Sequence, residues 1–195
     1  ACMQLDYDEI VLVTPSDHLI KDEIEYEKVL NKAKEFATQN KLVTFGITPT
    51  FAETGFGYIE SVNTYDVKAF HEKPNFETAT SYLKSENYYW NSGMFCFKAG
   101  VFLDELKKYS PEIFETSKIA FENRQLIANN QIRIKYEDMI NIPEDSIDYA
   151  VMEKSDIVKV IPSNINWSDV GSFDALFEEL PKDKNGNTKN DKHIS

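Results

Sequence analysis

Short apolar runs joined to small polar clusters set the tightest limit on what this chain can fold into. Ile10-Val11-Leu12-Val13 runs into Thr14-Pro15-Ser16-Asp17-His18, and a second run, 42–47, stops at Thr48-Pro49-Thr50. Four more clusters stand in the same setting: Thr54-Gly55-Phe56-Gly57-Tyr58, Phe70-His71-Glu72-Lys73-Pro74, Trp90-Asn91-Ser92-Gly93-Met94-Phe95 and Trp167-Ser168-Asp169-Val170-Gly171. Short continuous apolar runs fit strands covered on both faces. In a parallel or mainly parallel sheet, groups that meet ligands gather beyond the carboxyl ends of the strands. The pattern predicts an α/β domain that displays its polar clusters along one edge.

The segments between the runs agree. Tyr26, Val29, Leu30, Ala33, Phe36 and Ala37 recur at helical spacing within 23–39, with charges on the other face. Strand, helix and the 42–47 strand make a β-α-β unit whose crossover is long enough for parallel pairing. Residues 58–62 and 66–70 alternate like strands around an Asn63-Thr64-Tyr65 turn. Asn75 is placed to cap a helix through Leu83. Residues 94–97 and 157–161 read as strands, and 101–108 and 112–128 as amphipathic helices parted at Ser110-Pro111. A short helix is expected over 146–153 and a last one over 172–180, with Ser172 as its N-cap. The domain thus covers 1–180. Residues 181–195 hold four lysines, three asparagines and one aliphatic side chain, the composition of a polar linker or tail.

Composition narrows the function. A net charge of −12 disfavours a protein that binds nucleic-acid backbones, which needs clustered Lys and Arg. An acidic protein still binds a nucleotide when a divalent cation bridges the charges. No run of about 20 apolar residues suits a membrane span, and the N-terminus carries no secretory signal pattern. Cys2 and Cys96 lack metal spacing and read as buried or incidental thiols in a reducing, cytoplasmic compartment.

The clusters carry the chemistry. Asp17 follows a strand and a proline, where a hard carboxylate suits Mg²⁺ or caps the next helix; the residues alone leave both open. His18 is read as orienting its neighbours. The glycines of 54–58 permit close backbone approach, with Gly57 able to meet a hydroxyl, although locally the segment is a turn. Glu72 can accept from vicinal sugar hydroxyls and Lys73 can neutralise a phosphate, provided the strand end bends at Pro74. The bland alternative, an exposed ion pair of neighbours, is disfavoured because adjacent strand residues point to opposite faces. Asn91 donates and accepts at once, as sugar recognition requires; the bland alternative is a turn asparagine. Asp169 is a second carboxylate, paired with Asp17 across the sheet edge or simply opening the last helix. At Ser146-Ile147-Asp148-Tyr149, capping by Ser146 is preferred to catalysis by Asp148.

Taken in order, these clusters, together with Phe45-Gly46-Ile47-Thr48-Pro49-Thr50 and Ser146-Ile147-Asp148-Tyr149-Ala150-Val151-Met152-Glu153, strongly resemble mannose-1-phosphate guanylyltransferases over roughly residues 5–180. The resemblance implies a Rossmann-like nucleotide-diphosphosugar transferase fold with a mixed, mainly parallel sheet. It implies transfer of GMP from GTP to mannose 1-phosphate, giving GDP-mannose and pyrophosphate with Mg²⁺, as in polysaccharide biosynthesis. Asp17 and Asp169 would hold the metal and Lys73 the phosphate, these three being the catalytic set. Gly57, Glu72, Lys73 and Asn91 would bind the sugar phosphate. Another hexose-1-phosphate nucleotidyltransferase and a non-catalytic sugar-phosphate-binding remnant are the alternatives.

One departure matters. The family's Gly-rich, Arg- and Lys-bearing loop, which cradles the triphosphate, has no counterpart before Asp17, and the only arginines are Arg124 and Arg133. The chain is therefore expected to be a fragment with little or no activity by itself. Its open strand edge would invite pairing with another chain, giving a homo-oligomer. The isomerase domain that often follows in this family is not expected within 181–195, which would at most be its truncated linker.

Overall fold

The computed structural model describes residues 1–127, 131–171, 173–184 and 186–188. Its centre is a six-stranded sheet of β1 (Ile10–Val13), β3 (Leu42–Ile47), β4 (Tyr58–Ser61), β5 (Val67–His71), β6 (Tyr88–Lys98) and β9 (Val158–Ser163). The long β6 organises the rest. β3 pairs along one of its edges, while β4 and β1 share the other, β4 at the start of β6 and β1 at its end. β5 lies outside β4, and β9 lies outside β3.

The mixed sheet matches the expectation, and the ladders qualify it. β1, β3, β4 and β9 run one way and β5 and β6 the other, so most strands share a direction. Because β6 sits between them, among the described residues only β3 and β9 form a parallel ladder. The expected β-α-β unit is likewise modified: β1 and β3 are co-directional around α1 (Glu23–Thr38), but β6 separates them.

Alternation along the strands divides the core between two faces. Val43, Phe45, Ile47, Met94 and Cys96 pack with Val29, Ala33 and Ala37 of α1. Leu42, Phe95 and Phe97 face Val101 and Leu106 of α3 (Ala99–Tyr109) and Ala150, Val151 and Met152 of a π-helical turn, Asp148–Met152. All six residues of β3 are buried. Side-chain caps begin two helices: Asp22 accepts from the Glu25 amide at 2.9 Å, and Asn75 accepts from the Thr78 amide at 2.9 Å ahead of α2 (Phe76–Leu83). Pro111 opens α4 (Pro111–Glu122), where a missing N–H costs nothing. Asn63 builds the turn expected between β4 and β5, its Oδ1 accepting from the Tyr65 and Asp66 amides.

Three readings are corrected. The helix expected through 128 ends at Glu122, and β7 (Gln125–Ile127) turns back on β8 (Gln131–Arg133) instead. Leu126 is 76% exposed there, so the apolar side chains that suggested a helical face do not pack. The strand expected over 94–97 begins at Tyr88 and contains the Trp90-Asn91-Ser92-Gly93 cluster. The third concerns β1, read as covered on both faces: Ile10, Leu12 and Val13 are exposed, and among the described residues β1 pairs with β6 alone.

An exposed apolar edge strand is a template for further pairing. Leu12→Lys is expected to shift any self-association of the chain towards monomer in sedimentation velocity, without changing its circular dichroism. Equal association of both proteins would rule out β1 as the contact.

The remaining elements are α5 (Tyr136–Met139), the two-residue strands β2 (Leu19–Ile20) and β10 (Trp167–Ser168), which pair together, and α6 (Phe173–Glu179). Ser172, expected to cap α6, lies outside the described residues. In the segment read as a tail, Lys182 and Thr188 form an isolated bridge, and 189–195 lie outside the described residues. Cys2 and Cys96 are free thiols, and burial pushes that of Cys96 up to about 11. Among the described residues no helix is long and apolar enough to cross a membrane.

Candidate functional site

The polar clusters converge where β4, β5 and β6 meet the β2–β10 ladder. A cleft of about 280 Å³ there is lined by His18, Gly57, Glu72, Asn91, Asp148 and Asp169, with Pro15, Phe56 and Trp167 among its walls. Six separate stretches of sequence thus supply one cavity. Asp17 and Lys73 are not part of its lining.

Gly57 and Glu72 are placed by neighbouring strands: Tyr58 pairs with His71, and the residues just outside that pair face each other. A Cβ on Gly57 would come within 2.9 Å of Glu72 Oε2, so glycine alone lets the carboxylate lie against the backbone. The Gly57 carbonyl accepts from the Asn91 amide at 2.8 Å, joining the same point to β6. Tyr58 anchors the preceding loop from within the core, donating its hydroxyl to the Glu53 carbonyl and accepting from the Glu53 amide.

The bend required after Glu72 is present. Lys73 has φ of 41°, a left-handed conformation that ends β5 and that non-glycine residues seldom adopt. Its Nζ comes back to 3.6 Å from Glu72 Oε1 at an exposed rim. The exposed ion pair of neighbours, disfavoured from the sequence, is thus present, because the bend at Lys73 turns both side chains to one side.

Asn91 lies inside β6, which removes the turn reading. Its Oδ1 accepts from the Thr44 hydroxyl at 3.3 Å and from the Gly93 amide at 3.2 Å, and its Nδ2 donates to Asp148 Oδ1 at 2.9 Å. The carboxamide is held in one orientation. Asp148 is the residue that the sequence reading passed over. Burial pushes its carboxyl up, the Asn91 hydrogen bond opposes this, and the charge of Glu72 reinforces it. The preferred capping by Ser146 is also present, its Oγ accepting from the Tyr149 amide at 3.2 Å.

The two-residue ladder carries the other side of the site. Ser168 pairs with Leu19 and Trp167 with Ile20, so one step further Asp169 comes opposite His18, with Asp17 adjacent. His18 Nδ1 accepts from the Trp167 indole N–H at 3.0 Å, which puts the ring proton on Nε2. Burial lowers the affinity of His18 for a second proton, and the charges of Asp17 and Asp169 partly restore it. His18 is thus tied to Trp167, a partner 149 residues away rather than a chain neighbour. Val170 has φ of 48°, costly for a β-branched residue and typical of positions fixed by a site.

Aromatic edges link the two sides. Phe51 and Phe56 meet Trp90 at 4.9 and 5.4 Å between centroids, and Phe56 meets Trp167 at 5.5 Å. Beyond them a larger recess of about 600 Å³ shares Gly55, Phe56, Trp167 and Asp169 with the cleft.

Comparison with known proteins gives this arrangement its relatives. The chain is 48% identical over 191 residues to the mannose-1-phosphate guanylyltransferase of Salmonella muenchen, covering 94% of this chain and 40% of that protein. It is 44% identical over 183 residues to the xanthan biosynthesis protein XanB of Xanthomonas campestris, covering 92% and 39%. It therefore spans about 40% of the length of the curated relatives it matches. Among solved structures, one described as mannose-6-phosphate isomerase from Helicobacter pylori superposes with a TM-score of 0.81 at 43% identity, covering 86% of this chain and 67% of that one. One described as mannose-1-phosphate geranyltransferase from Thermus thermophilus gives 0.77 at 30% identity, with 90% and 50% covered. The sheet and cleft occur in a chain whose residues 1–186 match the family described as nucleotidyl transferase, and the chain belongs to that family.

Proposed function

We propose that this chain carries the sugar-phosphate and metal side of a mannose-1-phosphate guanylyltransferase, an enzyme transferring GMP from GTP to mannose 1-phosphate with release of pyrophosphate. The observation that carries the reading is the convergence of Gly57, Glu72 and Asn91 on one cleft with Asp169. The names of the relatives point the same way. Glu72 accepts from sugar hydroxyls, Asn91 donates to one, and Lys73 swings from the rim to the sugar phosphate. Positioning and charge neutralisation dominate phosphoryl-transfer catalysis, so these contacts act by aiming the phosphate oxygen in line at the α-phosphorus.

Asp17 and Asp169 would hold Mg²⁺ as a pair. Among the described residues no group of three or more His, Cys, Asp and Glu gathers as a metal site. Mg²⁺ characteristically takes one or two carboxylates and completes its shell with water and substrate phosphates. Both carboxylates act on His18 from nearby, consistent with a shared centre. Bound there, Mg²⁺ would neutralise phosphate charge.

The test is pyrophosphate release by the intact protein with mannose 1-phosphate, Mg²⁺ and, in separate assays, GTP, UTP, CTP or dTTP. Release with GTP well above the others is expected; preference for another nucleotide, or none with any, overturns the reading. For the sugar side, Gly57→Ala is expected to weaken mannose 1-phosphate binding about tenfold in calorimetry by displacing Glu72, while folding stability changes by less than about 0.5 kcal/mol. Unchanged binding would remove Gly57 and Glu72 from the site.

A further inference from the structure

Asn91 has fewer free valences than an asparagine offers. A carboxamide has two N–H donors and one oxygen with two lone pairs. The oxygen already takes the Thr44 hydroxyl and the Gly93 amide, and one N–H goes to Asp148. What remains for a ligand is one N–H. Asp148 and Glu72, both lining the cleft, are acceptors when ionised.

We propose that Asp148 determines specificity in this cleft: it fixes the Asn91 carboxamide so that Asn91 shows a ligand only a donor, and with Glu72 it makes the subsite acceptor-rich. Such a subsite selects a ligand bringing several hydroxyl donors and one acceptor, the chemistry of a polyhydroxylated ring. A ring lacking one hydroxyl leaves a partly buried carboxylate unpaired, and sites built this way reject such analogues strongly.

The support of Asp148 is rigid. It begins the π-helical turn whose Ala150, Val151 and Met152 lie in the core, and the Ser110 hydroxyl donates to the Ala150 carbonyl at 2.8 Å. Local π geometry recurs at functional sites. The Asn91–Asp148 contact joins residues 57 apart, so local capping does not account for it.

The inference rests on the sugar-phosphate reading above, and its test separates the two. Calorimetry on this chain would compare mannose 1-phosphate with its monodeoxy analogues, in the wild type and in Asp148→Asn. Asn at this position can still accept from Asn91, so the fold and the amide orientation are kept while the carboxylate is lost. The wild type is expected to bind at least one analogue about 30-fold more weakly than the parent sugar, and the variant only about threefold more weakly. Asp148→Ala, in turn, should shift the Asn91 side-chain amide resonances in a ¹⁵N spectrum of the unliganded chain. A variant that keeps the wild-type discrimination, or weakens all the sugars equally, overturns the role of Asp148 and leaves the functional reading standing. A wild type that binds no mannose 1-phosphate ends both.

Discussion

Gly46→Ala is expected to destabilise the fold by about 3 kcal/mol, near the upper end of overpacking costs. Gly46 stands in the buried strand β3, between its partners β6 and β9. A methyl group there would meet Val160 Cγ2 at 2.6 Å and Tyr89 Cβ at 2.7 Å. Both atoms sit close to the backbone of paired strands, so relief requires the ladders to shift. The pairing with β6 already changes register between Thr44 and Gly46, and the glycine marks that irregularity. A thermal melt should show the midpoint falling by roughly 6–12 °C for a domain of this size. A drop under about 2 °C would mean that the strands yield freely there. The contrast with Gly57→Ala lies in what the new methyl meets: mobile carboxylate oxygen at Gly57, strand framework at Gly46.

For catalysis the largest loss is expected at the carboxylate pair. Asp17→Asn and Asp169→Asn should each lower kcat of the intact protein by about 10²–10³-fold, the scale seen when one preorganised electrostatic partner is removed. The double variant should be little worse than either single one, because groups serving one centre are strongly non-additive. The reason is the β2–β10 ladder, which brings Asp169 to the turn that carries Asp17 and His18, with both carboxylates acting on His18. The Mg²⁺ concentration for half-maximal rate should rise in each single variant. Multiplicative losses would place the two carboxylates at separate tasks.

Much of this site was legible along the chain because its residues occupy strand ends, where apolar periodicity stops abruptly. Gly57 and Glu72 belong to such boundaries, Asn91 lies within β6, and all three line the cleft. Asp148 was not legible. Its neighbour Ser146 satisfies a capping pattern, and that local explanation is correct as far as it goes. The second role depends on a contact with β6, which no local spacing reveals. The extent of β6 was hidden for a related reason: Asn91-Ser92-Gly93 has turn chemistry, yet Ser92 donates to the Phe45 carbonyl at 2.7 Å and binds that stretch to β3. The ladder around β6 was equally out of reach, since periodicity identifies strands but not their neighbours.

The two-residue ladder also has a consequence in time. The wall with Gly57, Glu72 and Asn91 is built on β4, β5 and β6, strands that lie close in sequence, whereas His18 and Trp167 are 149 residues apart. The junction has a ladder of only two residue pairs, helped by the Lys21 and Asp22 amides on the Ile165 carbonyl and the Trp167 indole on His18, against the long ladders that β6 makes with its neighbours. The wall carrying His18 and Asp169 should therefore open first under native conditions. Amide exchange at Leu19 and Ile20 would run ahead of exchange in β6, so that one wall of the cleft breathes while the other stands still.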